Sequence, residues 1–162
     1  MKSISGRAWV FDDDINTDLI IQGRHLTMLD YSEMAKHTFE ILRPEFAKEV
    51  KPDDIVIAGR NFGGGSSREE APAVLKTLGI GCVVAESFAR IFYRNGFNIG
   101  LPLMVVPDIS SDIEDGQLVT IDFTEGTLTI DHSRVLSGEP LPALMQEMLE
   151  AGGAVQMYLK RK

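Results

Sequence analysis

The chain has 162 residues, 44% hydrophobic and 25% charged, the composition of an ordinary globular protein. At that length it reads as one domain, residues 1–162, able to bury roughly two-thirds of the surface its unfolded form exposes. Sixteen basic against 24 acidic residues give a net charge of -8, which excludes the basic stripe a nucleic-acid partner needs but not a locally positive site for a small anion.

In chain order, Met1 to Arg7 is not followed by an apolar signal core, and no segment reaches the roughly 18 apolar residues of a membrane span. A cytoplasmic enzyme or enzyme part, with no membrane contact, is expected. Residues 4–11 hold a β-like run ending in the acidic turn Asp12-Asp13-Asp14, and residues 19–21 read as a further short strand. Met34, Phe39, Ile41 and Leu42 give residues 31–42 a helical pattern. Residues 55–58 are a buried strand leading into Asn61-Phe62-Gly63-Gly64-Gly65-Ser66-Ser67-Arg68-Glu69-Glu70.

Ala71, Val74, Leu75 and Leu78 then recur at helical spacing, and Gly79 and Gly81 end that helix. Residues 82–85 form the next buried strand, 88–97 the next helix and 103–106 a third strand bounded by Pro102 and Pro107. This alternation predicts parallel pairing with right-handed crossovers. Residues 117–123 and 127–131 alternate around Thr124-Glu125-Gly126 as a hairpin. A last helix carries Leu141, Leu144, Met145, Met148 and Leu149 on one stripe and stops at Gly152-Gly153; Lys160-Arg161-Lys162 reads as a solvated end.

The triple glycine is the most informative stretch. Glycines allow positive φ and close backbone approach to a ligand, and the following residues read as a helix start, where free N–H groups and the helix dipole favour an anion. Arg68 adds a planar fork of donors suited to a carboxylate, so a small organic acid is the expected ligand. Ser66 with Glu69, or Ser67 with Glu70, also matches the S-x-x-E capping box, which needs no function. A cap does not require three glycines, and these point to a ligand loop. The stretch lacks the Lys-Ser/Thr ending of a P-loop and the G-x-S-x-G elbow of a serine hydrolase.

Elsewhere the bland readings lead. Arg90 and Arg94 lie one turn apart, with the aromatics between and around them assigned to core or interface. Asp12, Asp13, Asp14 and Asp18 fit turns better than a hard-metal site. His25, His37 and His132 show no ligand spacing and read as structural or exposed. Cys82, the only cysteine, excludes a disulfide or a multi-thiolate metal site within this chain and reads as an inert buried thiol.

Three stretches carry a resemblance: Asp13-Asp14-Ile15-Asn16-Thr17-Asp18, the glycine-serine-arginine run, and Glu86-Ser87-Phe88-Ala89-Arg90-Ile91-Phe92-Tyr93-Arg94-Asn95. In order and separation they resemble the small subunits of isopropylmalate isomerases (3-isopropylmalate dehydratases), the stand-alone swivelling domains of the aconitase superfamily. The resemblance implies an α/β fold, a swivelling β/β/α domain with a partly parallel sheet flanked by helices and an added C-terminal hairpin. It implies a heteromeric hydro-lyase of leucine biosynthesis whose large subunit holds a 4Fe-4S cluster, with no metal held by this chain. One thiol cannot hold a cubane cluster, which agrees independently.

By position, Ser66 resembles the catalytic base, and Ser67 and Arg68 the contacts to the substrate carboxylate, with Gly64 and Gly65 lining them. Specificity is expected from Arg24, His25, Leu26, Thr27 and Met28. Homoaconitase-like relatives carry arginine where Thr27 stands, so a malate with an apolar substituent is favoured here. The family usually shows Tyr at the place of His25 and often Cys at that of Gly64. Dehydratases of dimethylmalate, methylmalate (citraconate) or homoaconitate remain alternatives, as does a non-catalytic module that binds organic acids.

Overall fold

The structure, a computed structural model, describes residues 3–162 apart from the side chain of Ser110. Met1 and Lys2, the start of the N-terminal segment considered above, lie outside the described residues. A seven-stranded mixed sheet organises the chain: β1 (Ile4–Val10), β2 (Ile55–Ala58), β3 (Cys82–Ala85), β4 (Leu103–Val105), β5 (Leu118–Asp122), β6 (Thr127–Ile130) and β7 (Arg134–Ser137). Their spatial order is β4-β3-β2-β1-β5-β6-β7. The half from β1 to β4 is parallel, with Val10 opposite Ile57, Ala58 opposite Ala85 and Ala85 opposite Val105. The half from β1 through β5 and β6 to β7 is antiparallel, with Ile4 opposite Ile121.

The sequence explains the division. β2 and β3 are buried at every position, and both read as unbroken apolar runs, as strands covered on both faces must. β5 and β6 bury alternate residues, the signature of a sheet packed on one face. Around the sheet run α1 (Thr17–Ile20), α2 (Tyr31–Ala35), α3 (Phe46–Glu49), α4 (Glu70–Thr77), α5 (Arg90–Asn98), α6 (Ala143–Ala151) and α7 (Ala154–Lys160). Among the described residues no helix is long and apolar enough to cross a membrane.

Three expectations need correction, and a fourth, the hairpin of β5 and β6, is met and extended. Residues 19–21 do not form a strand: the Asn16 side chain accepts from Leu19 N–H at 2.9 Å and starts α1 there. The helix expected over 31–42 stops at Ala35, because Phe39 adopts a left-handed φ of 56°. That turn buries its ring completely against Phe11 and Phe46, and its N–H donates to Ile20 O at 2.9 Å. Gly152-Gly153 ends α6 as expected, with φ of 96° at Gly152, but a further helix, α7, follows it. Finally, the hairpin is part of a three-stranded meander, because β7 pairs along β6.

The parallel half positions the functional loops. Residues 12–18 follow β1, residues 59–68 follow β2 and residues 86–89 follow β3, so all three motifs leave the carboxyl ends of neighbouring parallel strands. Open α/β sheets bind ligands at that edge.

Candidate functional site

Backbone hydrogen bonds tie the three loops together. Gly63 N–H donates to Ile15 O at 2.7 Å, Thr17 N–H to Gly64 O at 2.9 Å, and the Thr17 hydroxyl to Ser66 O at 2.9 Å. On the other side Phe62 N–H donates to Ser87 O and Ala89 N–H to Phe62 O, and the Ser87 hydroxyl accepts from Asn61 N–H at 2.8 Å. Gly63 is required twice over: its φ is 85°, and a Cβ there would lie 2.2 Å from Phe92 Cγ. Gly65 has a φ of 90°.

The serines emerge from this frame unencumbered. Helix α4 begins at Glu70 with Glu69 in the cap place and no side-chain cap bond. The capping box is therefore not formed, and the serines lie on the loop ahead of the helix rather than at its start. Ser66 and Ser67 are exposed, and neither hydroxyl has a hydrogen-bonding partner among the described residues.

Arg68 is anchored instead. Its Nη1 donates to Asp18 Oδ1 at 3.1 Å and to Ile21 O at 2.9 Å, and its side chain is only 19% exposed. Both Nη1 hydrogens are thus used, which leaves the Nη2 and Nε donors to form a bidentate fork. The hydrogen bond from Arg68 holds the Asp18 carboxyl below its usual range, with a smaller contribution from Gly23 N–H. A shallow cavity of about 200 Å³ joins Thr17, Ser66, Ser67, Arg68, Arg90 and Asn95. That is below the roughly 300–1,000 Å³ of an ordinary ligand pocket, so this surface forms part of a site. A larger cavity of about 670 Å³ shares Asn95 with it but includes none of the loop from Gly63 to Arg68.

The expected specificity loop begins beside the arginine. Gly23 N–H donates to Asp18 Oδ1 at 3.2 Å, and a Cβ on Gly23 would sit 3.5 Å from Arg68 Nη2. Gly23 to His25 form a 3-10 turn. Leu26 and Met28 are half-buried and line a cavity with Leu29, Tyr31, Met34 and Glu70, while Thr27 is exposed. His25 is buried, and its Nε2 lies 2.5 Å from Glu40 Oε1; Glu40 Oε2 meets His37 Nδ1 at 2.9 Å. The two imidazoles stack with centroids 3.8 Å apart.

This cluster corrects the separate reading of the histidines: the potential ligand atoms of His25, His37 and Glu40 lie within 4.8 Å of one another. The His37-x-x-Glu40 spacing was its only signal in the sequence. The other bland readings hold. Asp13 accepts from Arg60 N–H and Asp14 from the Asn61 amide, as turn residues do. Phe88, Phe92, Tyr93 and Phe97 pack on one another, with Phe62 against Phe88 and Phe92. Cys82 is fully buried, and desolvation pushes its thiol well above the usual range.

Comparison with known proteins identifies the family of the chain. Residues 12–107, which contain all three motif loops, match the aconitase C-terminal domain family. The 3-isopropylmalate dehydratase small subunit 1 of Methanopyrus kandleri is 52% identical over 98% of this chain and 94% of its own length. Its namesake in Archaeoglobus fulgidus is 50% identical over 93% of this chain and 94% of its own length. The crystal structure of 3-isopropylmalate dehydratase from Methanocaldococcus jannaschii superposes with a TM-score of 0.92 at 42% identity, covering 99% of this chain and 95% of that one. The fold, the motif loops and these full-length likenesses together place the chain in the 3-isopropylmalate dehydratase small-subunit family, built on the aconitase C-terminal domain.

Proposed function

We propose that this chain is the small subunit of a cytoplasmic hydro-lyase that interconverts 2-isopropylmalate and 3-isopropylmalate by dehydration and rehydration in leucine biosynthesis. The observation that carries this reading is the pair of unpartnered hydroxyls, Ser66 and Ser67, exposed beside the fork of Arg68. Such a surface binds a carboxylate and offers a proton acceptor, but it is too open to exclude water. It needs a second polypeptide to close it.

That partner is a large subunit holding a 4Fe-4S cluster. The donor set of this chain fits such a division, because Cys82 is sealed in β3 with its thiol protonated and cannot serve as a ligand. When bound, the cluster supplies Lewis acidity toward the departing hydroxyl.

This chain's residues do the rest. Arg68 binds a substrate carboxylate through its free edge, and Ser67 donates a further hydrogen bond. Ser66, acting as its alkoxide, takes the proton from the carbon next to that carboxylate to become the hydroxyl, and gives a proton back on rehydration. A serine hydroxyl is a very weak acid, so the step requires a dry site and the positive field of Arg68. Leu26 and Met28 offer apolar surface to the isopropyl group, with neutral Thr27 between them and Arg24 paired with Glu40.

The test is co-expression with a candidate large subunit, anaerobic iron reconstitution and measurement of unsaturated-acid absorbance. Activity should require both subunits, and Ser66→Ala should lower kcat at least about 100-fold with an unchanged melting temperature. Near wild-type activity of that variant overturns the assigned base, and activity of this chain alone overturns the shared site.

A further inference from the structure

The specificity loop is held by a residue outside it. Arg24 follows directly on Gly23, where an added Cβ would lie 3.5 Å from Arg68 Nη2, and the Arg24 side chain is 70% exposed on a flexible stem. A free guanidinium on the residue next to Gly23 would recruit an additional carboxylate. It is not free: Nη2 donates to Glu40 Oε1 at 3.0 Å and Nε to Gln22 Oε1 at 3.2 Å. Glu40 also receives His25 Nε2 on the same oxygen and His37 Nδ1 on the other. One carboxylate, from the segment after α2, thus gathers two consecutive loop residues.

The two attachments differ in strength. An exposed Arg–Glu pair contributes little alone and opens readily. His25 is 6% exposed and stacked on His37, so the buried side of the clasp fixes where Glu40 stands. The exposed side then decides where the Arg24 guanidinium points.

We propose that Glu40 is a specificity-determining positioning residue: it withholds Arg24 from the substrate's side chain and, through His25, fixes the shape of residues 24–28. The proposal rests on the dehydratase reading above. Without Glu40, Arg24 is released, and the site accepts malates whose substituent ends in a carboxylate.

The experiment uses the reconstituted two-subunit enzyme carrying wild-type chain, Glu40→Gln, or Glu40→Gln with Arg24→Ala. It measures kcat/KM for 3-isopropylmalate and for a malate bearing a carboxyalkyl group in place of isopropyl. Glu40→Gln should shift the ratio toward the carboxyalkyl acid by about tenfold, and adding Arg24→Ala should abolish the gain. A ratio unchanged within about twofold, or a gain that survives Arg24→Ala, overturns the proposal. Hydrogen exchange on the chain alone gives a readout independent of activity: Glu40→Gln should speed exchange across residues 22–28 and leave β2 and β3 unaffected. Unchanged exchange with an active wild-type enzyme counts against the clasp alone. An inactive wild-type enzyme counts against the dehydratase reading and the specificity role built on it.

Discussion

Arg68 and Asp18, 50 positions apart in sequence, meet at 3.1 Å, and the same Asp18 oxygen accepts the N–H of Gly23. One carboxylate therefore orients the fork proposed to bind substrate and fixes the start of the loop proposed to set specificity. Asp18→Asn keeps the size but removes the charge that holds the fork. KM for isopropylmalate should rise about tenfold, with kcat changed less, since the carboxylate contact is made in ground and transition states alike. Asp18 is 57% exposed, so its pairing is partly screened and a larger effect is not expected. Steady-state kinetics of the reconstituted enzyme check this, and an unchanged KM contradicts it.

Gly63→Ala should destabilise the fold by about 2–4 kcal/mol, because left-handed backbone strain adds to a collision with Phe92. Gly116→Ala is the control. It has a similar φ of 84° but nothing within 4 Å of the added carbon, so strain alone should cost about 1–2 kcal/mol. Urea denaturation of the two variants measures the difference, and equal losses would contradict the close-packing argument.

Glu40 makes acid stability a local property. Burial alone pushes its carboxyl up, but the hydrogen bonds from His25, His37 and Arg24 together outweigh it and hold the group at about 2, against an ordinary 4.5. A carboxyl depressed on folding contributes stability that is present above its unfolded value and lost as pH falls through its folded value. As pH falls from 4.5 toward 2, the stability gap between wild type and Glu40→Gln should therefore shrink. Denaturation midpoints across that interval test it; a gap that stays constant would mean Glu40 is not held by this cluster.

Cys82 should be silent to thiol reagents in the native protein. Its sulfur is fully buried in β3, and desolvation suppresses the thiolate that reacts. Ellman's reagent should titrate no thiol under native conditions and one in denaturant. Rapid native labelling would require β3 to open.

Much of this protein is written locally. The unbroken apolar runs at 55–58 and 82–85, separated by a helical pattern, specify central parallel strands because only strands covered on both faces have no polar side. The alternation on either side of Gly126 specifies the antiparallel arm for the converse reason. The glycine-serine-arginine run carries the signal for the proposed anion site, since its backbone freedom and donors lie within ten consecutive residues.

The errors arose where a distant contact overrode local preference. Phe39 leaves a helical pattern because its ring reaches the Phe11–Phe46 cluster, and Ser66 matches a cap motif yet stays free because Thr17 holds its carbonyl. β7 is exposed at three of its four positions, so it carries neither an apolar run nor an alternation, and it exists through its pairing with β6.

The sequence by itself thus determined the class of fold and the family, both of which rest on residue types a few positions apart. Tertiary structure decided that Asp18 holds Arg68, that both serine hydroxyls face outward, and that Glu40 joins His25 to His37. Those relations depend on chain segments brought together by burial of the sheet, and hydrogen bonds between segments leave no periodicity in the sequence.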